Sequence, residues 1–336
     1  QAMIDGLDEV SQYPPTPGTK ALRSAVSAYL RRRFDLEVDA DEEVLATYGS
    51  KEALFHLPMT FVQIPSEKDL VLYGEPAYPV YEIGALFAEA WTYAVQLGPQ
   101  NEYAMDPDAL PESVLKRAAI VYLNYPHNPS GYKLSDDLFR RWVEVRAEYG
   151  FVLVSDECYV DLNYEGEPPK SLLQFGREGC LAVHSLSKRS GMTGYRSGFI
   201  AGDQELIATY RRYRASMGTA PQQFVQAAAE VACAHSHDNN ARRGATNHRM
   251  THARRTRDMV RTHEKDAPAE EGAAARPLLL AADRAHQARR RAPLSRHRPS
   301  CCLFLVLLSH IPIILRHRRQ RRLRQRLARS PGSIDG

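Results

Sequence analysis

Short apolar runs and amphipathic stretches alternate through the first two thirds of the chain. After a Pro-rich turn, Gly18 and Thr19 precede apolar residues at Leu22, Val26 and Leu30. This spacing predicts a helix that begins at the Gly-Thr pair. The later stretch TYGSKEALFHLPMTFV has the same plan, because a Gly-Ser pair again precedes an amphipathic helix pattern.

Five β-branched or apolar runs, each ending in Gly, Pro, Asn, Asp or Ser, predict strands. They lie in DLVLYGEPAYPVY, AAIVYLNYPHNPSG, GFVLVSDECYVDL, CLAVHSLSK and RSGFIAGD. Helical patterns such as SDDLFRRWVEVRAEYG separate some of these runs. The alternation predicts an α/β fold with a mostly parallel central sheet.

Polar residues follow several predicted strands directly. Asn128 comes after IVYL, Asp156 after FVLVS, and Ser185 and Lys188 after LAVH. In open α/β sheets, ligands bind outside the carboxyl ends of the strands. We therefore expect these side chains to converge at one edge of the sheet.

Lys188 and Asp156 suit the chemistry of pyridoxal phosphate. This cofactor needs a lysine that forms a Schiff base with its aldehyde and an acid that pairs with its pyridinium nitrogen. Asn128 and Tyr159 could hydrogen-bond the phenolic oxygen of the ring, and Tyr78 could stack on its face.

A phosphate site is expected from a second group of residues. Ser185, Ser187 and Arg196 can bind an anion, and so can the helix N-terminus at Gly49 and Ser50, where free N–H groups and the helix dipole favour negative charge. The chain contains neither GxGxxG nor GxxxxGK[ST], so the dinucleotide and nucleoside-triphosphate motifs are missing.

Simpler interpretations exist for single residues. Asp156 could be a helix cap, although an acid at a binding edge after an apolar run favours function. Tyr78 could belong to the core, and the glycines near Arg196 could be turn residues only. We interpret His184 as a packed residue at a strand end rather than an acid or base.

Seven motifs, in order, give the chain a resemblance to the class I/II pyridoxal-phosphate aminotransferases of fold type I. The resemblance covers about residues 1 to 230. The motifs are Tyr13 to Gly18, Gly49-Ser50-Lys51, Pro76-Ala77-Tyr78-Pro79, Asn128-Pro129-Ser130-Gly131, Asp156-Glu157-Cys158-Tyr159, Ser185-Leu186-Ser187-Lys188 and Gly194-Tyr195-Arg196-Ser197-Gly198.

The resemblance implies a role for each motif residue. Lys188 would be the catalytic residue, which holds the cofactor and moves a proton between the substrate α-carbon and the cofactor C4′. Tyr13 would reach the phosphate of the neighbouring subunit's cofactor in a homodimer. The other implied cofactor-binding residues are Gly49, Ser50, Lys51, Tyr78, Asn128, Asp156, Tyr159, Ser185, Ser187 and Arg196.

Within that family the chain most resembles the N-succinyldiaminopimelate aminotransferases of lysine biosynthesis, through YGSKEALFHLP, EPAYPVYEIGA, SDECY and LAVHSLSKRSGMTGYRSGFIAGD. The implied reaction is ping-pong amino transfer with glutamate and 2-oxoglutarate. Other reactions of the same fold stay open, among them LL-diaminopimelate, aromatic or aspartate transamination and C–S lysis.

Composition divides the chain at about residue 235. Residues 1–234 hold 21 Lys and Arg against 32 Asp and Glu, whereas residues 235–336 hold 23 against 8. The basic part is rich in Arg and His and has one aromatic residue, so it lacks the means to build a core. We expect an aminotransferase large domain at 1–234, lacking the family's N-terminal segment, and a disordered or out-of-frame region at 235–336.

The basic region leaves one alternative from another class. Its clustered arginines could make it a nucleic-acid-binding extension of an inactive fragment, although we favour small-molecule substrates. In the family an arginine of the C-terminal domain binds the substrate carboxylate. Arg316 lies at a plausible distance along the chain from Lys188, but the sequence around it does not match the family's, and we do not assign it.

Cysteine and hydropathy patterns favour a cytoplasmic protein. The five cysteines have no CxxC spacing. The apolar tract CCLFLVLLSHIPIIL is shorter than a membrane span and is interrupted by polar residues and proline, so we expect no membrane anchoring. His235 and His237 have metal-like spacing, but chance explains it better in a His-rich stretch, and we expect no metal.

Overall fold

The computed structural model describes residues 1–9, 12–163, 166–218 and 220–234. The predicted basic region 235–336 lies outside the described residues. The expectations for His235, His237, Arg316 and the apolar tract from Cys301 to Leu315 lie outside them too.

A seven-stranded sheet forms the centre of the described part. Its strands are β1 (Val44–Thr47), β2 (Leu70–Glu75), β3 (Trp91–Gln96), β4 (Ala118–Leu123), β5 (Val152–Asp156), β6 (Cys180–Ser185) and β7 (Gly198–Gly202). Their order is β1-β7-β6-β5-β4-β2-β3. Strands β2 to β6 pair in parallel, while β7 is antiparallel to both β6 and β1. The predicted α/β fold with a mostly parallel sheet is confirmed.

Helices lie before β1, in connections between strands and after β7. They are α1 (Ala2–Asp5), α2 (Lys20–Phe34), α3 (Ser50–Phe61), α4 (Val80–Phe87), α5 (Glu112–Arg117), α6 (Asp136–Tyr149), α7 (Leu186–Arg189), α8 (Gln204–Met217) and α9 (Gln223–Ala234). No helix in the described ranges is long and apolar enough to cross a membrane.

Local sequence signals set the ends of the longer helices. Thr19 caps α2, since its hydroxyl accepts a hydrogen bond from the Leu22 amide at 3.3 Å. Ser135 caps α6 in the same way, and that helix ends at Gly150 in the left-handed conformation. The two helix starts predicted before Leu22 and after Gly49 are confirmed.

The core consists of two apolar layers, one on each face of the sheet. Strand β4 is buried along its whole length, so its side chains alternate between the layers. Val121 and Leu123 belong to the layer that includes Trp142, whereas Ile120 and Tyr122 belong to the other. Such a sheet presents only its strand ends to a ligand.

The direction of chain winding reverses between β2 and β4. From β2 the chain passes to β3 on one side and then returns to β4 on the other side of β2. The reversal opens a crevice beyond the carboxyl ends of these strands, which is the usual ligand position in such sheets. The motif residues that follow β2, β4, β5 and β6 therefore lie around this edge.

Candidate active site

Asp156 is the last residue of β5 and is almost completely buried. Its Oδ2 accepts a 2.7 Å hydrogen bond from the Tyr81 hydroxyl, and its Oδ1 accepts one from the Cys158 amide at 3.3 Å. Burial raises the pKa of Asp156, while hydrogen bonds from Cys158 and Tyr81 oppose that rise. Within the described residues this carboxylate has no ion pair. It is therefore a desolvated acid with neutral donors around it.

Asn124 connects Asp156 to the predicted Asn128. The Asn124 side chain is buried, accepts a hydrogen bond from the Asn128 amide at 3.1 Å and donates one to the Asp156 carbonyl at 3.0 Å. Because both bonds come from one side chain, the loop after β4 is held against the end of β5. Asn128 itself is half-buried.

Lys188 lies in the four-residue helix α7, directly after β6. Asp156 is paired with Val183 of β6 in the sheet, so the end of β5 lies beside the end of the strand that leads into α7. The Lys188 Nζ lies 5.5 Å from the centre of the Tyr159 ring. The described residues include no carboxylate in ion-pair contact with Lys188. The amine thus faces an aromatic ring, without an acid partner.

Arg196 forms a polar cluster with Ser187 and the start of α3. Its Nη1 lies 3.4 Å from the Ser187 hydroxyl and 3.1 Å from the Thr193 carbonyl, and its Nη2 lies 3.3 Å from the Tyr48 carbonyl. All these acceptors are neutral, and the side chain is exposed. An exposed guanidinium with neutral partners is well suited to an anion.

Gly49 lets the guanidinium approach the helix start closely. Its φ is +81°, and a Cβ at this position would lie 3.0 Å from the Arg196 Nη2. No side chain caps α3 at Gly49, so its first amides have no capping acceptor there. Nearby, the Ser185 hydroxyl accepts a hydrogen bond from the Ser187 amide at 3.2 Å.

Ser50 joins this cluster to the neighbourhood of Asp156. Its hydroxyl lies 2.8 Å from the Cys158 sulfur, and Cys158 in turn contacts Asp156. The same cysteine therefore touches both the buried acid and the first residue of α3.

Tyr78 and Lys51 lie together beside these groups. The Lys51 Nζ is 5.3 Å from the centre of the half-buried Tyr78 ring, and Tyr78 makes an edge contact with Tyr81 at 6.2 Å between ring centres. Tyr81 also binds Asp156, so Tyr78 is one residue removed from the acid.

Tyr13 stands apart from the other predicted site residues. Its side chain is 91% exposed. The described chain therefore does not bring it into the cluster, and the predicted role across a subunit interface stays a prediction.

His184 is packed as the sequence predicts. Its ring is almost completely buried and stacks on Phe199 with 4.6 Å between the ring centres. No group of three or more His, Cys, Asp or Glu side chains in the described part of the chain could hold a metal ion.

The sequence also matches a known family over most of its length. The model of the aminotransferases of class I and II matches residues 4–267. The chain belongs to the class I and II aminotransferases. Members of this family depend on pyridoxal phosphate.

Curated relatives place this aminotransferase near the diaminopimelate enzymes. It is 37% identical over 226 residues to the LL-diaminopimelate aminotransferase of Aquifex aeolicus, which is 67% of this chain and 58% of that protein. It is 36% identical over 223 residues to the corresponding enzyme of Desulforudis audaxviator, 66% of this chain and 56% of that protein. The chain thus spans a little over half the length of these relatives.

Solved aminotransferase structures share the fold of the described part. An aminotransferase from Neisseria meningitidis superposes with a TM-score of 0.68 at 35% identity, covering 72% of this chain and 63% of that one. The N-succinyldiaminopimelate aminotransferase of Mycobacterium tuberculosis gives a TM-score of 0.67 at 31% identity, covering 76% and 66%. Both likenesses agree with the fold type I large domain expected from the sequence.

The clustered residues fit the chemical groups of pyridoxal phosphate. Asp156 is a buried carboxylate with no cation partner in the described ranges, which suits a protonated ring nitrogen. The exposed Arg196, the uncapped start of α3 and the space left by Gly49 suit a phosphate. Lys188 offers an amine with no acid partner there.

Three contributing residues escaped the sequence-based set. Tyr81 binds the acid, Asn124 braces the loop of Asn128, and Cys158 links Asp156 to Ser50. Asn124 is the first polar residue after the apolar run of β4, which is a signal that could have identified it. Tyr81 carries no such signal, because its contact joins residues 75 positions apart.

Proposed function

We propose that this chain binds pyridoxal phosphate at the carboxyl edge of its sheet and transfers amino groups between amino acids and 2-oxo acids. The observation that carries the proposal is that Asp156, a buried acid without a cation partner in the described residues, ends β5, while Lys188 lies in the helix that follows the adjacent strand β6. Bound pyridoxal phosphate supplies an electron sink that stabilises a carbanion at the substrate α-carbon.

Each side chain of the cluster has a task in this proposal. Lys188 would hold the cofactor covalently through Nζ and, once the substrate amine has displaced it, would move a proton from the substrate α-carbon to the cofactor C4′. Asp156 keeps the ring nitrogen protonated, since its carboxylate gains the positive partner that its buried position lacks. Asn128 and Tyr159 would hydrogen-bond the phenolic oxygen, and Tyr78 would stack on the ring.

The phosphate is assigned to the other end of the cluster. Arg196 supplies the charge, while Gly49, Ser50 and Lys51 supply the amides of the helix start. The two remaining contributors, Ser185 and Ser187, lie on β6 and α7.

For the substrate we propose a diaminopimelate, with glutamate and 2-oxoglutarate as the other pair, in lysine biosynthesis. The names of the relatives support a diaminopimelate as substrate. The curated enzymes are named for LL-diaminopimelate, and the enzyme from Mycobacterium tuberculosis is named for N-succinyldiaminopimelate. The sequence motifs favour the N-succinyl form, and assays with both compounds decide between them.

We also propose that the protein works as a homodimer in the cytoplasm. The exposed Tyr13 is available to contact a second copy, whose phosphate site it would complete. Sedimentation of the chain with and without pyridoxal phosphate tests the dimer.

The decisive experiment identifies the lysine that reacts with the cofactor. The 336-residue chain is incubated with pyridoxal phosphate, reduced with borohydride, digested and analysed by mass spectrometry. We expect the pyridoxyl group on Lys188, and a visible absorption band that changes to the pyridoxamine form with glutamate.

Two variants make this experiment specific. Lys188→Ala is expected to lose the band, because it removes the amine that this proposal assigns to the cofactor. Lys116→Ala, which removes a side chain about two-thirds exposed on α5, is expected to keep it. Labelling spread over surface lysines, or a band that survives in Lys188→Ala, would refute the proposed function.

A further inference from the structure

The helix that carries Lys188 is too short to hold its own position. Helix α7 has four residues, and a single helical turn is unstable without tertiary contacts. The residue next to the lysine, Arg189, provides such contacts, because its side chain is only 9% exposed and extends into the protein.

Arg189 contacts three separate elements. Its Nε lies 2.9 Å from the Asp161 Oδ2, outside hydrogen-bond geometry, so that this contact is an ion pair. Its guanidinium carbon lies 4.2 Å from the centre of the Tyr29 ring on α2. Its Nη1 donates to the Ala232 carbonyl of α9 at 2.9 Å.

Asp161 is equally well anchored on its own side. Its buried carboxylate accepts hydrogen bonds from the Tyr29 hydroxyl at 2.8 Å and from the Arg33 Nε at 3.0 Å. Arg33 also donates to the Val160 carbonyl at 3.2 Å. The turn that contains Asp161 is therefore fixed to α2.

Asp161 belongs to the same turn as Tyr159, just as Arg189 belongs to the same helix as Lys188. Lys188 contacts Tyr159, and one residue further along in the helix Arg189 contacts Asp161. We propose that the Arg189–Asp161 ion pair positions the Lys188 amine relative to Tyr159, and so sets the geometry in which the lysine meets the cofactor. Arg189 and Asp161 are positioning residues in this proposal, which rests on the proposed function.

Three variants of the full chain test the proposal. Arg189→Met removes the charge and keeps a long apolar side chain, Arg189→Lys keeps the charge, and Asp161→Asn removes the other charge. Arg23→Met is the matched control: Arg23 lies on α2, its side chain is 10% exposed, and it pairs with Asp41 at 2.8 Å.

The measurements are the affinity for pyridoxal phosphate, the fraction of reduced label on Lys188, the pH midpoint of the cofactor absorbance and the unfolding temperature. We expect Arg189→Met to bind pyridoxal phosphate about tenfold more weakly than the control when both are compared at equal stability. The absorbance midpoint is expected to shift in Arg189→Met and not in Arg23→Met, because only the former moves the amine relative to Tyr159.

Arg189→Lys is expected to recover part of the affinity. Combining Arg189→Met with Asp161→Asn should cost less than the sum of the single effects, since both remove the same contact. If Arg189→Met does not fold, Asp161→Asn takes its place in the comparison with Arg23→Met, because it removes the other charge of the same ion pair.

Two results would overturn the inference. One is a wild-type affinity and absorbance midpoint in Arg189→Met or Asp161→Asn, and the other is an equal loss in Arg23→Met. A wild-type chain that takes no label at Lys188 would instead refute the proposed function, and the inference with it.

Discussion

Asp156 and Glu157 are adjacent in sequence and both buried, yet their surroundings differ. Asp156 receives the Tyr81 hydroxyl and the Cys158 amide, and these partners themselves contact Tyr78 and Ser50 in the candidate site. Glu157 lies among core contacts, where it accepts hydrogen bonds from the Ser171 hydroxyl at 3.1 Å and the Leu172 amide at 2.9 Å. One carboxylate contacts residues of the candidate site, while the other contacts residues of the core.

The second acid also has a histidine beside it. The Glu157 Oε2 lies 3.3 Å from the His184 Nε2. Burial raises the pKa of Glu157 to about 7 and lowers the pKa of His184 to about 3, so that both groups favour their neutral forms. The comparison teaches that burial alone does not identify a functional acid; the partners of the acid do.

The largest expected difference between the two acids appears when each is replaced by its amide. Asp156→Asn is expected to weaken binding of pyridoxal phosphate about 100-fold, the low end of the cost of breaking a buried ion pair. Glu157→Gln is expected to leave the affinity unchanged. Equilibrium titrations of cofactor absorbance measure both, and equal losses in the two variants would contradict the assignment of Asp156.

A smaller effect on the affinity is expected from replacing the residues that hydrogen-bond the two acids. Tyr81→Phe removes a hydrogen bond to Asp156 and should lower the affinity about fivefold, in line with a net contribution of about 1 kcal/mol. Ser171→Ala removes a hydrogen bond to Glu157 and should lower thermal stability without changing the affinity. A reversed pattern in the same titrations would show that the two neighbourhoods have been assigned the wrong way round.

The smallest effect concerns the dependence of stability on pH. A raised pKa at Glu157 means that the folded chain binds more protons than the unfolded chain between about pH 4.5 and 7, so this group lowers stability as pH rises there. The lowered pKa of His184 acts in the opposite sense between about pH 3 and 6.5. The opposing slopes predict that the free energy of unfolding hardly changes between about pH 4.5 and 6.5. Between about pH 6.5 and 7 only the Glu157 slope remains, and about 1 kcal/mol of stability is lost.

Denaturant unfolding of the wild type and Glu157→Gln at several pH values checks this expectation. In the variant only the His184 slope remains, so stability should rise through the region that is flat in the wild type. A variant curve parallel to the wild-type curve would show that Glu157 does not titrate as burial predicts.

Much of the fold could be predicted from sequence because local signals agree with the tertiary arrangement. The run before Asn124 is β-branched and apolar, and it becomes a strand buried on both faces. Thr19 and Gly49 each mark a helix start through a capping position or a backbone conformation that acts within a few residues. Elements of this kind need no knowledge of distant partners.

The rest of the site depends on contacts between distant residues. Tyr81 reaches Asp156 from α4, and Arg189 reaches Asp161 from the next strand connection, and neither pairing leaves a pattern along the chain. Gly49, Ser187 and Arg196 lie at one edge of the sheet, since Gly49 and Ser187 follow β1 and β6, and Arg196 precedes the antiparallel β7. The exposure of Tyr13 shows the limit of that reasoning, since its predicted partner is another copy of the chain.

Gly49 has a consequence for how the protein tolerates change. A side chain there would face both an unfavourable backbone conformation and the guanidinium of Arg196. The proposed anion site thus depends on the absence of a side chain at this position. Glycine is therefore the one residue type that fits beside Arg196 here without strain.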